Sequence, residues 1–197
     1  MPRGLSLDRD SYEREKNLMV LYILLAIAAI LLTFVIVVAM QPSEFRIART
    51  ATFSAPAPAV FAQVNDFHNW DAWSPWAKLD PAAKATFEGA PAGTGAIFKW
   101  SGNKKVGEGT MTITESHPHD LIRINLEFLK PFKATNTAEF TFQPEGGKTV
   151  LTWSMSGRYN FMSKAFCLFM NMDKMIGGDF EKGLANMKSV IETASRQ

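Results

Sequence analysis

His68 and Asp71 stand on either side of Trp70 in FHNWDAWSPW, near enough to work as an acid–base pair. In a short helical turn the same histidine can equally cap or pack. His117 and His119 flank Pro118 in ESHPHD. Their spacing resembles a metal pair, but this is a turn between strands with no third ligand in reach, so no metal site is expected. Asp173 projects at the edge of an apolar helical arc, beside Phe166 and Phe180. A carboxyl there has either a raised pKa or a partner such as Arg158. Asp179 projects within the same arc, and the plainer reading places both carboxylates on a solvated rim. Asn136 is in phase with Phe140 and Phe142 and so faces inward, where its amide needs a partner and could orient the polar end of a ligand. Cys167 is the single cysteine. It excludes an intrachain disulfide and any CxxC motif, has no histidine near it in sequence, and reads as structural.

These groups form no convincing catalytic pair. His68 and Asp173 are candidates, and no catalytic residue is assigned. No GxSxG, P-loop or dinucleotide fingerprint appears, and no cofactor is expected. The GTG of GAPAGTGAIF feeds a strand and lacks the helix N-terminus that phosphate binding uses. The net charge of +2 comes with no basic stripe interleaved with aromatics, which argues against nucleic acid. Lys104 and Lys105 mark a solvated hairpin tip.

The chain has 197 residues, 47% hydrophobic, enough for one domain and an appendage. The appendage is the run that opens on Leu18 and closes on Met40. It carries no charge and no polar face, and at about 1.5 Å per residue it is about 34 Å long. That is enough to cross a bilayer core. A cleaved signal peptide would have a shorter apolar region and a small-x-small site, which VVAMQP does not supply. The expectation is a single-pass anchor over 18–40 with the lipid bilayer as its partner. A disordered tail over 1–17 precedes it, and a linker over 41–44 leads to a domain over 45–195. Arg3, Arg9, Arg14 and Lys16 outnumber Arg46 and Arg49, which puts the N-terminus in the cytoplasm and the domain outside, on the periplasmic side of a bacterial inner membrane.

After Pro42 the pattern turns to period two. Residues 45–53 form a strand interrupted in phase only by Arg49, and SAPAPAVFAQVND then forms a short helix that runs into an aromatic turn. Six further strands follow: KATFEG, GAIFKWSG, VGEGTMTITES, DLIRINLEF, ATNTAEFTF and TVLTWSMSG. Residues 159–195 form one long helix whose Phe- and Met-rich arc faces the sheet, with Gly177 and Gly178 permitting a kink or a close approach near its middle. The class is α+β: a curved antiparallel sheet wrapped on a C-terminal helix.

This order of elements, with FHNWDAWSPW followed by KLDP, resembles the helix-grip fold of the START-like (SRPBCC) superfamily, and within it the polyketide cyclase/dehydrase-like group. The resemblance covers nearly all of the domain. It implies a hydrophobic cavity between helix and sheet. Phe98, Trp100, Met111, Asn136, Phe140, Trp153 and Met155 would line it from the strands. Phe166, Phe169, Met172 and Ile176 would line it from the helix, with Trp73 and Trp76 suited to the mouth. The same side chains could instead fill the space as core. Three functions follow: a membrane-anchored module binding a small apolar or amphipathic ligand, lipid or isoprenoid-like; a polyketide cyclase/dehydrase-like enzyme using polar groups in the same cavity; or a structural or stress-response interaction protein without ligand.

Overall fold

The computed structural model describes residues 5–194; Arg3 and Ser195, used above for orientation and for a domain boundary, lie outside the described residues. Helix α1 runs Leu5–Met40. It continues upstream of the apolar run into residues 5–17, where a disordered tail was expected. That stretch is rich in helix formers, and extending an existing helix avoids the cost of nucleation. Glu13 and Lys16 pair along it at 3.9 Å.

Seven strands follow in the domain: β1 Glu44–Phe53, β2 Lys84–Gly89, β3 Ala96–Ser101, β4 Glu108–His117, β5 Leu121–Lys130, β6 Ala134–Glu145 and β7 Lys148–Arg158. They form one antiparallel sheet in the order β1-β7-β6-β5-β4-β3-β2. Six consecutive strands make hairpins, and the first strand closes against the last. Between β1 and β2 lie α2 Ala57–Asn65, a 3-10 turn Phe67–Asn69 and α3 Trp70–Trp73.

The expected single closing helix is two: α4 Phe161–Cys167 and α5 Met172–Ala194. Capping explains the division: Asn160 opens α4, and Asn171 opens a second helix. The Asn160 side chain accepts the Ser163 N–H at 2.8 Å, and that of Asn171 accepts the Lys174 N–H at 2.9 Å. Each asparagine caps a helix start, so the chain halts and begins again at Asn171. Helix α5 lies along the concave face of the sheet, whereas α4 turns away and packs on α1.

Strand register arranges the concave face in rows. One row reads Phe87, Phe98, Met111, Leu126, Asn136, Gly157, Phe45 across the whole sheet. Further along the strands, away from α1, a second row holds Ile113, Ile124, Ala138, Met155 and Ile47, and a third Ile122, Phe140, Trp153 and Arg49. The apolar members of these two rows are all buried. The convex face is polar, with Arg123 bridging Glu115 and Glu139 and Thr50 bonded to Thr152.

Candidate functional site

The middle of the concave face is filled with rings. Trp153 stacks on Phe180 of α5 at 4.1 Å and on Phe140 at 5.0 Å, and Trp73 meets it edge-on at 5.7 Å. Trp73 is fully buried, and its indole N–H donates to the Gln63 carbonyl. The WSPW segment therefore locks α3 into the core, and Trp73 is not at a mouth. Trp76, half-buried, meets Trp153 edge-on at 5.8 Å. Trp153 Nε1 is buried without a hydrogen-bond partner. Phe140, Trp153 and Met155 are buried core residues rather than the walls of an open space.

Toward α1 the packing loosens. Phe45, Phe98, Met111 and Leu126 are only partly buried against the core, as are Met172 and Ile176 at the start of α5. Trp100 continues the same face, stacked on Phe98 at 6.0 Å and edge-on to Phe128 at 5.9 Å. Its N–H is committed to the Val106 carbonyl. Asn136 lies in this half-open row. Its amide sits over Gly157, where a Cβ would meet Asn136 Oδ1 at 2.1 Å, so the missing side chain makes its room. Among the described residues the amide has no hydrogen-bond partner. Tyr159 follows, stacked on Phe45 at 4.6 Å. Burial first, and then its bond to the Cys167 thiol, push the phenol up to about 12, so it remains a neutral hydroxyl. The arrangement is an apolar shelf edged by neutral hydrogen-bonding groups.

Phe166 and Phe169 do not join it. They are 61% and 79% exposed, because the break at Leu168 to Asn171 carries them off the arc that faces the sheet.

Asp173 is exposed and pairs with Arg49, not Arg158: the guanidinium contacts both carboxylate oxygens, at 3.1 and 3.0 Å, and the Asp173 carbonyl. Arg158 lies 3.9 Å from Glu44. Arg49 holds the Asp173 carboxyl below its usual range and bonds Glu181 at 2.7 Å as well. These bonds raise the arginine's own pKa, that from Asp173 most. A Cβ on Gly177 would overlap the guanidinium, so the glycine lets Arg49 cross α5. The arginine that breaks the apolar phase of β1 is thus a clamp on the helix. Asp179 is spaced to meet Lys182, at 3.5 Å.

His68 pairs with Asp66, not Asp71. Its Nδ1 lies 2.7 Å from Asp66 Oδ1, which also accepts the His68 backbone N–H. The ring stacks on Phe87 at 4.0 Å beside a hollow of about 240 Å³ bounded by Phe67, Phe87, Glu88, Pro91 and Ile97. Glu88 is tied to Lys99 at 2.6 Å, and no Ser, Thr, Cys or Lys lines the hollow. The dyad therefore has no nucleophile or free acid facing it. His117 and His119 are exposed, and among the described residues no three metal-ligating side chains gather.

The signal for Asn136 was its phase in β6. Phe45 and Leu126 come beside it only through the register, and Tyr159 through its stack on Phe45.

Residues 44–192 match the family model described as polyketide cyclase/dehydrase and lipid transport. No curated protein matches the sequence. Among solved structures, protein CV1439 from Chromobacterium violaceum is similar at 15% identity and a TM-score of 0.54, over 77% of this chain and 99% of that one. The Aha1 dimer from Colwellia psychrerythraea has 11% identity and a TM-score of 0.55, over 75% and 96%. DynU16, a putative protein in the dynemicin biosynthetic locus, has 15% identity and a TM-score of 0.51, over 76% and 48%. At these identities the likeness concerns the fold.

Proposed function

The chain belongs to the polyketide cyclase/dehydrase and lipid transport family, and on that premise we propose that it is a membrane-anchored binding module for a small apolar or amphipathic ligand. The ligand lies on the half-open shelf formed by Phe45, Phe98, Met111 and Leu126 and bordered by the start of α5. The observation that carries this reading is the Asn136 amide: a half-buried polar group set in an apolar row, with no protein hydrogen-bond partner among the described residues and with room cleared for it by Gly157. An amide so placed fixes the polar end of a ligand while the shelf takes its apolar body. Helix α1 is long and apolar enough to span a membrane. In this reading it does so, with Arg9, Arg14 and Lys16 on the cytoplasmic side and the domain on the other. The neutral groups of the shelf suit binding and orientation better than acid–base catalysis.

The test is native mass spectrometry of the full chain purified in a mild detergent, with saturable uptake of a fluorescent fatty acid as the second readout. A co-purified apolar molecule, and uptake weakened several-fold by Asn136→Leu, are expected. A folded protein that carries nothing and takes up no probe would overturn the reading.

A further inference from the structure

The end of the sheet nearest α1 gathers most of the domain's exposed large apolar side chains. Helix α1 delivers the chain directly to the start of β1. The register places the end of β7, the β5–β6 turn and the β3–β4 turn at that same end: Glu44 pairs with Arg158, Phe128 with Ala134, and Glu108 with Lys130. Phe132, in the β5–β6 turn, is 82% exposed, and Met162 of α4 is 75% exposed. Phe161, Phe166 and Phe169 project nearby. Leu79 and Phe87 are the large exposed apolar side chains of the domain outside this group and its immediate neighbours.

What covers these side chains follows from where they touch α1. Phe169 stacks on Phe34 with ring centroids 6.5 Å apart. Phe34 lies six residues before Met40, the end of the helix, which is about 9 Å back along its axis. A group in contact there sits within the apolar run, at about the 5–10 Å depth of an interfacial helix. The β5–β6 turn is one to two strand spacings from the end of β7, about 5–10 Å, so Phe132 is beside the same plane. Lys104, Lys105, Lys133 and Lys164 stand among or beside these groups with no carboxylate partner among the described residues. They are suited to the anionic headgroups that edge such a plane.

We propose that this end of the domain rests in the bilayer surface, with α4 lying in the interface beside α1 and Phe132 inserted from the β5–β6 turn. The inference rests on the reading of α1 as a membrane span. It adds that the domain is held against the lipid, with the open side of its shelf beside the membrane, and does not swing free on its linker.

The full chain reconstituted into vesicles of phosphatidylcholine and phosphatidylglycerol tests it. In a Cys167→Ser background, single cysteines replace Ile30, Phe132, Phe169 and, at the opposite end, Lys148, and each carries a polarity-sensitive fluorophore. Doxyl-labelled lipids then report contact. Several-fold stronger quenching at Phe132 and Phe169 than at Lys148 is expected, with Ile30 quenched most deeply. Quenching at Ile30 but none at Phe132 and Phe169 would overturn the docking and leave the anchor standing. A blue-shifted but unquenched label at Phe132 or Phe169 would also overturn it, since protein and not lipid would then cover the surface. No quenching at Ile30 would remove the span and the docking with it.

Discussion

The two ends of one sheet are built from the same strands with the same alternation, yet one end is closed and the other half-open. Away from α1, the concave face is covered by α2, α3 and α5, and Phe140, Trp153, Phe142 and Leu151 are buried. Near α1 the apolar phase continues through Met111, Leu126 and Phe128, but the helix that would cover it has stopped at Met172 and α4 has turned aside. Strand pattern sets which face is apolar, and helix coverage sets how much of that face becomes core. On the proposed function, the uncovered part is where a ligand would be taken up without unfolding anything, which puts binding at the less packed end.

If the closed end carries the stability, Trp153→Ala should have the largest effect of any change here. Removing a buried indole at the centre of the stacked rings leaves a cavity and should cost about 3–5 kcal/mol. Trp153→Phe keeps most of the bulk and removes an N–H that has no partner, so its cost should be well below that of Ala. Phe132→Ala, at the exposed tip, should stay within about 0.5 kcal/mol. Guanidinium unfolding of the micelle-bound chain, followed by near-ultraviolet circular dichroism, ranks the three. Comparable losses from Trp153→Ala and Phe132→Ala would remove the distinction between the ends.

A pair of glycines on α5 sharpens the contrast within a single helix. A Cβ at Gly183 would lie 2.8 Å from the Trp153 ring, whereas one at Gly178 meets nothing within 4 Å. A rigid ring cannot yield as a flexible chain would, so Gly183→Ala should destabilise by about 1–3 kcal/mol. Gly178→Ala should stabilise by about 0.5–1 kcal/mol through helix propensity alone. Thermal midpoints of the two variants check the opposite signs.

The strands were legible in sequence because half-buried strands alternate with period two, and each began and ended within a few residues of the reading. The division of the closing helix was not. Residues 161–175 keep a helical apolar period with no proline or glycine before Gly177, and the break depends on one capping asparagine and on packing against α1. Asn171 three residues before Lys174 was the available signal. Arg49 appeared as an interruption, and its purpose could not be read from sequence because its partners lie beyond position 170. For His68, a carboxylate two residues before the ring reaches it across a 3-10 turn, and Asp71 on the other side does not. Inward phase identified Asn136. Its lack of a partner depends on what β5 and β7 place beside it and could only be seen once the sheet was assembled.

At the open end the effects should fall on binding and spare stability. Asn136→Leu replaces an unpaired amide with an apolar group of similar size. Its unfolding midpoint should move little, while uptake of a fatty-acid probe weakens several-fold. A variant that loses stability and binding together would mean that the amide is structural.

The smallest expected effect is at Asp173, where the two ends meet. Arg49 lowers the folded-state pKa of this carboxyl. The stabilisation is therefore present above the unfolded-state value, about 3.9, and is lost as pH falls through the lower folded value. The side chain is exposed, so salt screens much of the effect. Arg49 also keeps Glu181 when Asp173 is replaced. Asp173→Asn should thus leave the neutral-pH midpoint almost unchanged and probe uptake within a few-fold. It should flatten the acid limb of the stability profile slightly, and added salt should erase the difference. A carboxyl carbon-13 titration reads the sign directly. A value below the usual aspartate range keeps Asp173 as one half of the clamp that seats α5. A value well above it would mean a desolvated acid at the edge of the shelf, and the open end would then be a place for proton transfer as well as for binding.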